Sequence, residues 1–177
     1  MSYKEYEFTL KFSLPDPDVD PETYVSQLGE AGCDDAIIGV GQKGKIALQF
    51  DREADNAHQA VLSAIGDVRN VIPNARLIEA TPDLVGLSDI ADLMGFSRQN
   101  MRKLMLTHGA TFPDPVHTGA SAIWHLSNVL QWFESKQNKH IADNIKEIAE
   151  TNMQVNLAKE AAQLDTRFQA QLAIYTC

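Results

Sequence analysis

The chain has only two cysteines in 177 residues, Cys33 and Cys177. They lie far apart and neither belongs to a CxxC, which leaves no material for a disulfide framework or a zinc ribbon. Both read as bystanders. No apolar run approaches a membrane span: the longest charge-free apolar-looking stretch, residues 119–133, is short and carries Ser, His, Asn and Gln. The opening MSYKEYEFTL has no apolar core behind a basic region, so a secretory signal is not expected and a cytoplasmic location is. Aromatic residues are scarce at 7%, but with 44% hydrophobic and 22% charged residues the composition is that of a soluble globular chain, neither disordered nor collagen-like. Its length suits two small domains.

Basic residues are also in short supply, 15 against 24 acidic ones, for a net charge of −9. The deficit is uneven. Residues 1–83 hold 7 Lys and Arg against 15 Asp and Glu, residues 84–137 hold 4 against 4, and residues 138–177 hold 4 against 5. A groove-binding helix needs only a local cationic face, so the neutral middle third keeps nucleic acid within reach despite the overall acidity.

Along the first third, Tyr6, Phe8, Leu10, Phe12 and Leu14 alternate with Glu7, Thr9, Lys11 and Ser13, which predicts a half-buried strand. Asp20 is placed to cap a helix starting at Pro21 and stopping at Gly29 or Gly32. Residues 36–40 and 46–50 form a hairpin around the Gly41 to Gly44 reversal. The spacing Gly39-x-Gly41-x-x-Gly44 imitates a dinucleotide loop but precedes no helix, so the hairpin reading prevails. A helix from about residue 53 to 71 ends before Pro73, and residues 75–79 extend again. The order β-α-β-β-α-β is the ferredoxin-like plan.

Pro82 marks a boundary. Beyond it, Ser88 is expected to cap a helix that Gly95 stops, and Ser97 a second helix with Met101, Leu104 and Met105 on its apolar face. A proline-extended segment follows, then a turn over residues 117–122 that reads as a wing, then a helix capped by Ser127. Trp124 and Trp132 read as core of this unit. Residues 140–173 contain neither Gly nor Pro and predict one long helix. Its Ile141, Ile145, Ile148, Asn152 and Val155 are spaced by fours and threes like a coiled-coil seam, which Lys159 interrupts. The expected class is therefore α+β: an acidic ferredoxin-like domain (1–82), a winged helix-turn-helix domain (83–137) and a long C-terminal dimerisation helix (138–177).

The segment VGLSDIADLMGFSRQNMRKL, with the FPDP extension, the wing and SNVLQWF after it, resembles the MerR and excisionase superfamily of winged helix-turn-helix DNA-binding proteins over about residues 84–135. The whole chain is also similar to a group of bacterial DNA-binding proteins that pair such a domain with an acidic α/β front. The resemblance implies double-stranded DNA as partner. Independently, a capped helix end presents backbone N–H groups and a partial positive charge to phosphate. Ser97 and Arg98 stand there, with Gln99, Asn100, Arg102 and Lys103 opposite the apolar face, suited to base edges and phosphates. The wing offers only His117, Thr118 and Ser121, where many such wings carry Arg or Lys.

So few cations neutralise few phosphates, so a homodimer on paired half-sites is expected, joined through Ile141, Ile145, Ile148 and Val155 with Asn152 setting register. The five histidines form no HExxH, no metal pairing with cysteine and no triad signature; neither an enzyme nor a cofactor is expected. The sequence thus predicts a dimeric DNA-binding transcriptional regulator, most simply a repressor acting near its own or a neighbouring operon. The alternative is an antitoxin-like module whose acidic front clasps a basic protein, with DNA binding for autoregulation. A small-molecule effector at the N-terminal domain fits either reading.

Overall fold

The alternation of Tyr6, Phe8, Leu10 and Phe12 places four large apolar side chains on one face of β1 (Lys4–Ser13) in the computed structural model, which describes residues 3–176. Cys177 lies outside the described residues. β1 pairs along its full length with β3 (Lys45–Ala54), with β2 (Ala36–Gly39) beyond β3 and β4 (Arg76–Thr81) on the other side of β1. The order is β2-β3-β1-β4 and every neighbour is antiparallel. Phe8 and Phe50, directly opposite each other, stack at 5.2 Å. α2 (Ala57–Val71), capped by Asn56, lays Ala60, Val61, Ala64 and Val68 on the apolar face. The chain is α+β.

Between β1 and β2 the expected helix is split. Asp20 caps it, accepting from the Glu22 amide at 3.0 Å, but residues Pro21–Tyr24 form a 3-10 turn and only Val25–Glu30, α1, is α-helical. The hairpin glycine Gly44 has φ +68°, and a Cβ on it would stand 2.5 Å from the Pro17 carbonyl oxygen. Both the left-handed backbone and the close approach forbid a side chain. Gly44→Ala should therefore cost about 2 kcal/mol or more. A chemical denaturation midpoint equal to wild type would refute that.

Arg52 on β3 ties this layer together. Its guanidinium forks onto Asp35 at 2.7 and 3.0 Å and reaches Asp67 at 2.8 Å, Ser63 at 3.0 Å and the Gly32 carbonyl at 2.6 Å. It also lies 4.8 Å from the Phe50 ring centroid.

A second core is built from β5 (Leu84–Val85), α3 (Leu87–Met94), α4 (Arg98–Thr107), β6 (Trp124–His125) and α5 (Leu126–Gln137), with β5 and β6 paired antiparallel. Two capping expectations are corrected. The N-cap of α3 is Gly86, whose N–H donates to Asp89 Oδ2 at 2.7 Å, so Ser88 sits inside the first turn. α5 begins one residue before Ser127, because the Leu126 amide is already satisfied by the Asp83 carbonyl at 2.7 Å and needs no side-chain cap. Trp124 and Trp132 are both buried: their indoles donate to the Pro113 carbonyl and to Thr111 Oγ1, and Phe112 meets both rings edge-on.

The C-terminal piece departs most from expectation. It is two helices, α6 (Asp143–Ala161) and α7 (Thr166–Thr176), because Asp165 caps a new start by accepting from the Arg167 amide at 2.8 Å and the Phe168 amide at 3.3 Å. The seam expected to join two chains is covered within one. Ile148 and Val155 join the core under the sheet, while Ile141, Ile145 and Ala149 join the core of the second unit. Asn152 does not face a partner copy; it is fully buried and donates to the Pro82 carbonyl at 3.2 Å.

Polar contacts hold α6 in place. Asn156 bonds both backbone groups of Ala80, at 2.9 and 2.8 Å, and donates to Asp83 Oδ2 at 2.8 Å; the other Asp83 oxygen pairs with His125 Nδ1 at 2.7 Å. Glu147 receives the Tyr6 hydroxyl and the Lys4 ammonium, and Lys159 donates to the Ile78 carbonyl. The Lys4 and Tyr6 hydrogen bonds hold the Glu147 carboxyl below its ordinary range. Lys146 bridges to Glu134 on α5 at 2.7 Å. α6 is thus the joint between the two cores, with Ile148 and Asn152, and Ile141 just ahead of the helix, buried within the one chain.

Candidate nucleic-acid interface

α3 and α4 form a tight helix pair because Gly95, at φ +72°, ends α3 and lets the Phe96 amide reach back to the Ala91 carbonyl at 2.8 Å. Lys139 closes the same end, donating to the Met94 carbonyl at 2.7 Å with its ammonium 4.5 Å from the Phe96 centroid. Ser97 then caps α4, accepting from the Asn100 amide at 3.2 Å. Helix geometry leaves the Arg98 and Gln99 N–H groups without an intrahelical acceptor, aimed out of the N-terminus.

One side of α4 is anchored by Met101, which is fully buried, with Leu104 and Met105 half-buried beside it. The opposite side carries Arg98, Gln99, Asn100, Arg102 and Lys103, all exposed. Among the described residues no ion pair involves Arg98, Arg102 or Lys103. Their charge is available to an incoming anion rather than neutralised on the protein.

A cleft of about 450 Å³ runs beside this face. It is lined by Arg98, Arg102 and Leu106 of α4, by residues 120–124 and by the first turn of α3. Residues 116–123 form a short hairpin closed by the Val116 amide on the Ile123 carbonyl at 2.8 Å and the Ile123 amide on the His117 carbonyl at 3.1 Å. Ser121 lines the cleft with the two arginines. His117 and Thr118 are exposed on the hairpin, and the His117 ring leans over Gly119, its Nε2 2.7 Å from where a Cβ there would stand.

Ser88 lines the cleft as well. The sequence predicts a capping role for Ser88, because any serine before an apolar helical run suits it. Freed from it by Gly86, its hydroxyl stands in the exposed first turn of α3, where phosphate oxygens are bound in other settings. Asp89, also in the cleft, opposes this, though its Oδ2 is engaged by the Gly86 amide.

Comparison with protein-family models, with curated proteins and with solved structures finds no match to this chain. Among the described residues, no helix is long and apolar enough to cross a membrane.

Proposed function

We propose that the chain is a sequence-specific double-stranded DNA-binding protein that regulates transcription, with α4 entering the major groove and the residue 116–123 hairpin lying along the adjacent backbone. The observation that carries this reading is the capped N-terminus of α4: three exposed, unpaired cations and two exposed amide side chains on one face, held in place by buried Met101. Arginine suits guanine, and Gln or Asn suits adenine, by paired hydrogen bonds, while the remaining cations hold phosphates. The β5–β6 pair behind a two-helix unit supports a winged helix-turn-helix assignment. The strand order β2-β3-β1-β4 supports the ferredoxin-like plan for the front layer.

Selection of bound fragments from the host's genomic DNA would supply the site. On it, Arg98→Ala with Arg102→Ala should weaken specific binding while leaving the thermal melt unchanged, since both side chains are exposed. A base-reading arginine should cost about 1–3 kcal/mol with relaxed specificity, and a phosphate contact should weaken all sequences alike. Undiminished affinity of the double variant in a gel-shift titration would reject α4 as the reading element.

One feature favours a second partner on the front layer. Strand register puts Glu5 opposite Glu53 and Glu7 opposite Asp51 on the open sheet face, like charges that raise the cost of the sheet and favour a basic protein in contact with them. Recovery of a stoichiometric basic partner from the native host, lost on Glu5→Lys with Glu53→Lys, would support the antitoxin-like reading.

A further inference from the structure

We infer that the cavity at the joint between the two cores is a binding site for a small primary amine with an apolar body, its ammonium held by His125 in front of the buried Asp83 carboxylate. The inference does not require that the protein bind DNA.

The cavity, about 370 Å³, is lined by residues of β4, β5, the residue 116–123 hairpin, β6 and α6, so an occupant touches both units. Its volume lies at the small end of ligand pockets, roughly 300–1,000 Å³, and suits a fragment-sized molecule. Leu84, Val116 and Leu157 reach it from three different elements and remain 46, 50 and 50% exposed. Exposed apolar side chains such as Ile37 on β2 and Leu62 on α2 stand singly, as is normal for a soluble surface. Three gathered around one concavity make a surface for the apolar part of a ligand. Leu84 also lines the cleft beside α4, so the bound molecule sits one side chain away from that cleft.

The polar side of the cavity is organised around Asp83, whose side chain is fully withdrawn from solvent. Both its oxygens accept, one from Asn156 Nδ2 at 2.8 Å and the other from His125 Nδ1 at 2.7 Å. Nδ1 therefore carries a hydrogen, and in the uncharged ring Nε2 is an acceptor. A carboxylate behind Nδ1 makes the opposite nitrogen more basic, as it does in metal-binding histidines. Nε2 bonds nothing among the described residues and is not sealed from solvent, and His125 lines the cavity.

Charge selects the ligand class. Among the described residues no Lys or Arg pairs with Asp83. The other charged groups on the lining are Glu79, Lys159 and Glu160. Lys159 pairs with Glu160 at 2.9 Å and also donates to the Ile78 carbonyl, while Glu79 pairs with Lys11 at 2.9 Å. Three carboxylates thus meet two ammonium groups, and the buried charge of Asp83 is the one left without a cation. A ligand ammonium supplies that cation while donating to Nε2; a ligand carboxylate adds to the excess, and a neutral hydroxyl donates without balancing it. The net charge of −9 draws cations toward the protein as well.

Nuclear magnetic resonance of the full chain at about pH 8, where an ordinary imidazole is neutral and a primary amine is charged, tests the inference. Phenethylamine, phenethyl alcohol and hydrocinnamate share an apolar body and differ in charge. Phenethylamine should shift the His125 ring signals and the Leu84, Val116 and Leu157 methyl signals saturably, with a Kd of about 1 mM for so small a fragment. The alcohol should bind several times more weakly, and the carboxylate should give no saturable shift. Leu157→Arg puts a cation on a half-exposed wall, and Glu160→Lys reverses a charge on an exposed side chain; each should weaken phenethylamine binding about tenfold at an unchanged thermal melt. Absence of saturable shifts with phenethylamine, shifts confined to other residues, or equal binding of the alcohol or the carboxylate overturns the inference. So does either folded variant that binds phenethylamine as wild type does.

Discussion

A chain ending at Gln137 should fail to fold. Had residues 138–177 formed a dimer helix outside the globular units, that truncation would leave a folded monomer. The structure gives the opposite expectation, because the removed segment supplies Ile148 and Val155 to one core and Ile141, Ile145 and Ala149 to the other. At roughly 1.5–3 kcal/mol for each large buried apolar side chain, this loss is comparable with the whole stability of a domain, about 5–15 kcal/mol. Polar losses add to it. Asp83, with a side chain fully withdrawn from solvent, would lose Asn156, and the buried Ala80 backbone would lose both its partners. Lys139, which closes the end of α3 at Met94, is also beyond the cut.

Far-UV circular dichroism and a dye that reports exposed apolar surface would read the outcome: loss of the cooperative melt and strong dye binding. A sharp melt and a monodisperse monomer would refute the assignment of α6 as the joint. A second truncation after Asp165 is the control. It removes only α7, whose described side chains are exposed, so it should keep the wild-type melt.

The contrast also marks where sequence reasoning reached its limit. Alternation along β1 and the spacing of Ala60, Val61, Ala64 and Val68 are local patterns whose cause, one buried face, is local too, and they were legible. So was the α3–α4 pair, because Gly95 and Ser97 act through the backbone within three residues of themselves. The periodicity of Ile141, Ile145, Ile148 and Val155 was equally clear, but a four-three repeat describes any helix with one apolar stripe. Whether a second chain or two cores of the same chain cover that stripe is not written in it.

The polar residues of α6 misled for the same reason. Asn152 reads as a register-setting residue of a seam and Lys159 as its interruption, yet each bonds a backbone carbonyl between residues 78 and 82, as Asn156 also does, more than 60 positions away in sequence. Nothing near them announces that partner. Asp165, by contrast, stood three residues before Phe168 as a legible cap and would have divided the long helix.

Arg52→Met should be strongly damaging to the front layer. Arg52 is 7% exposed, and burial alone would lower its pKa, but the hydrogen bonds to Asp35 and Asp67 outweigh that and leave it raised, so the guanidinium stays charged. Methionine fills much of the same volume and keeps contact with Phe50 but donates nothing. Replacing a whole buried ion cluster with apolar groups can be neutral; removing only its cation is not, because Asp35 and Asp67, both largely shielded, are left facing each other without compensation. The Gly32 carbonyl also loses its donor. The Cys33 thiol, already pushed up to about 11 by burial and then by Asp67, loses the one neighbour that lowers it.

The expected cost is about 3–5 kcal/mol, or a fall in melting temperature of roughly 6–20 °C for a chain of this size. Arg52→Lys keeps the charge but cannot fork onto Asp35 while reaching Asp67, so it should fall between Arg52→Met and wild type. The same Arg52→Met chain with Asp35→Asn and Asp67→Asn should recover part of the loss, since the uncompensated carboxylates are then gone. An unchanged melt for Arg52→Met, or no recovery in the triple variant, would show that the cluster contributes packing rather than charge balance to the front layer.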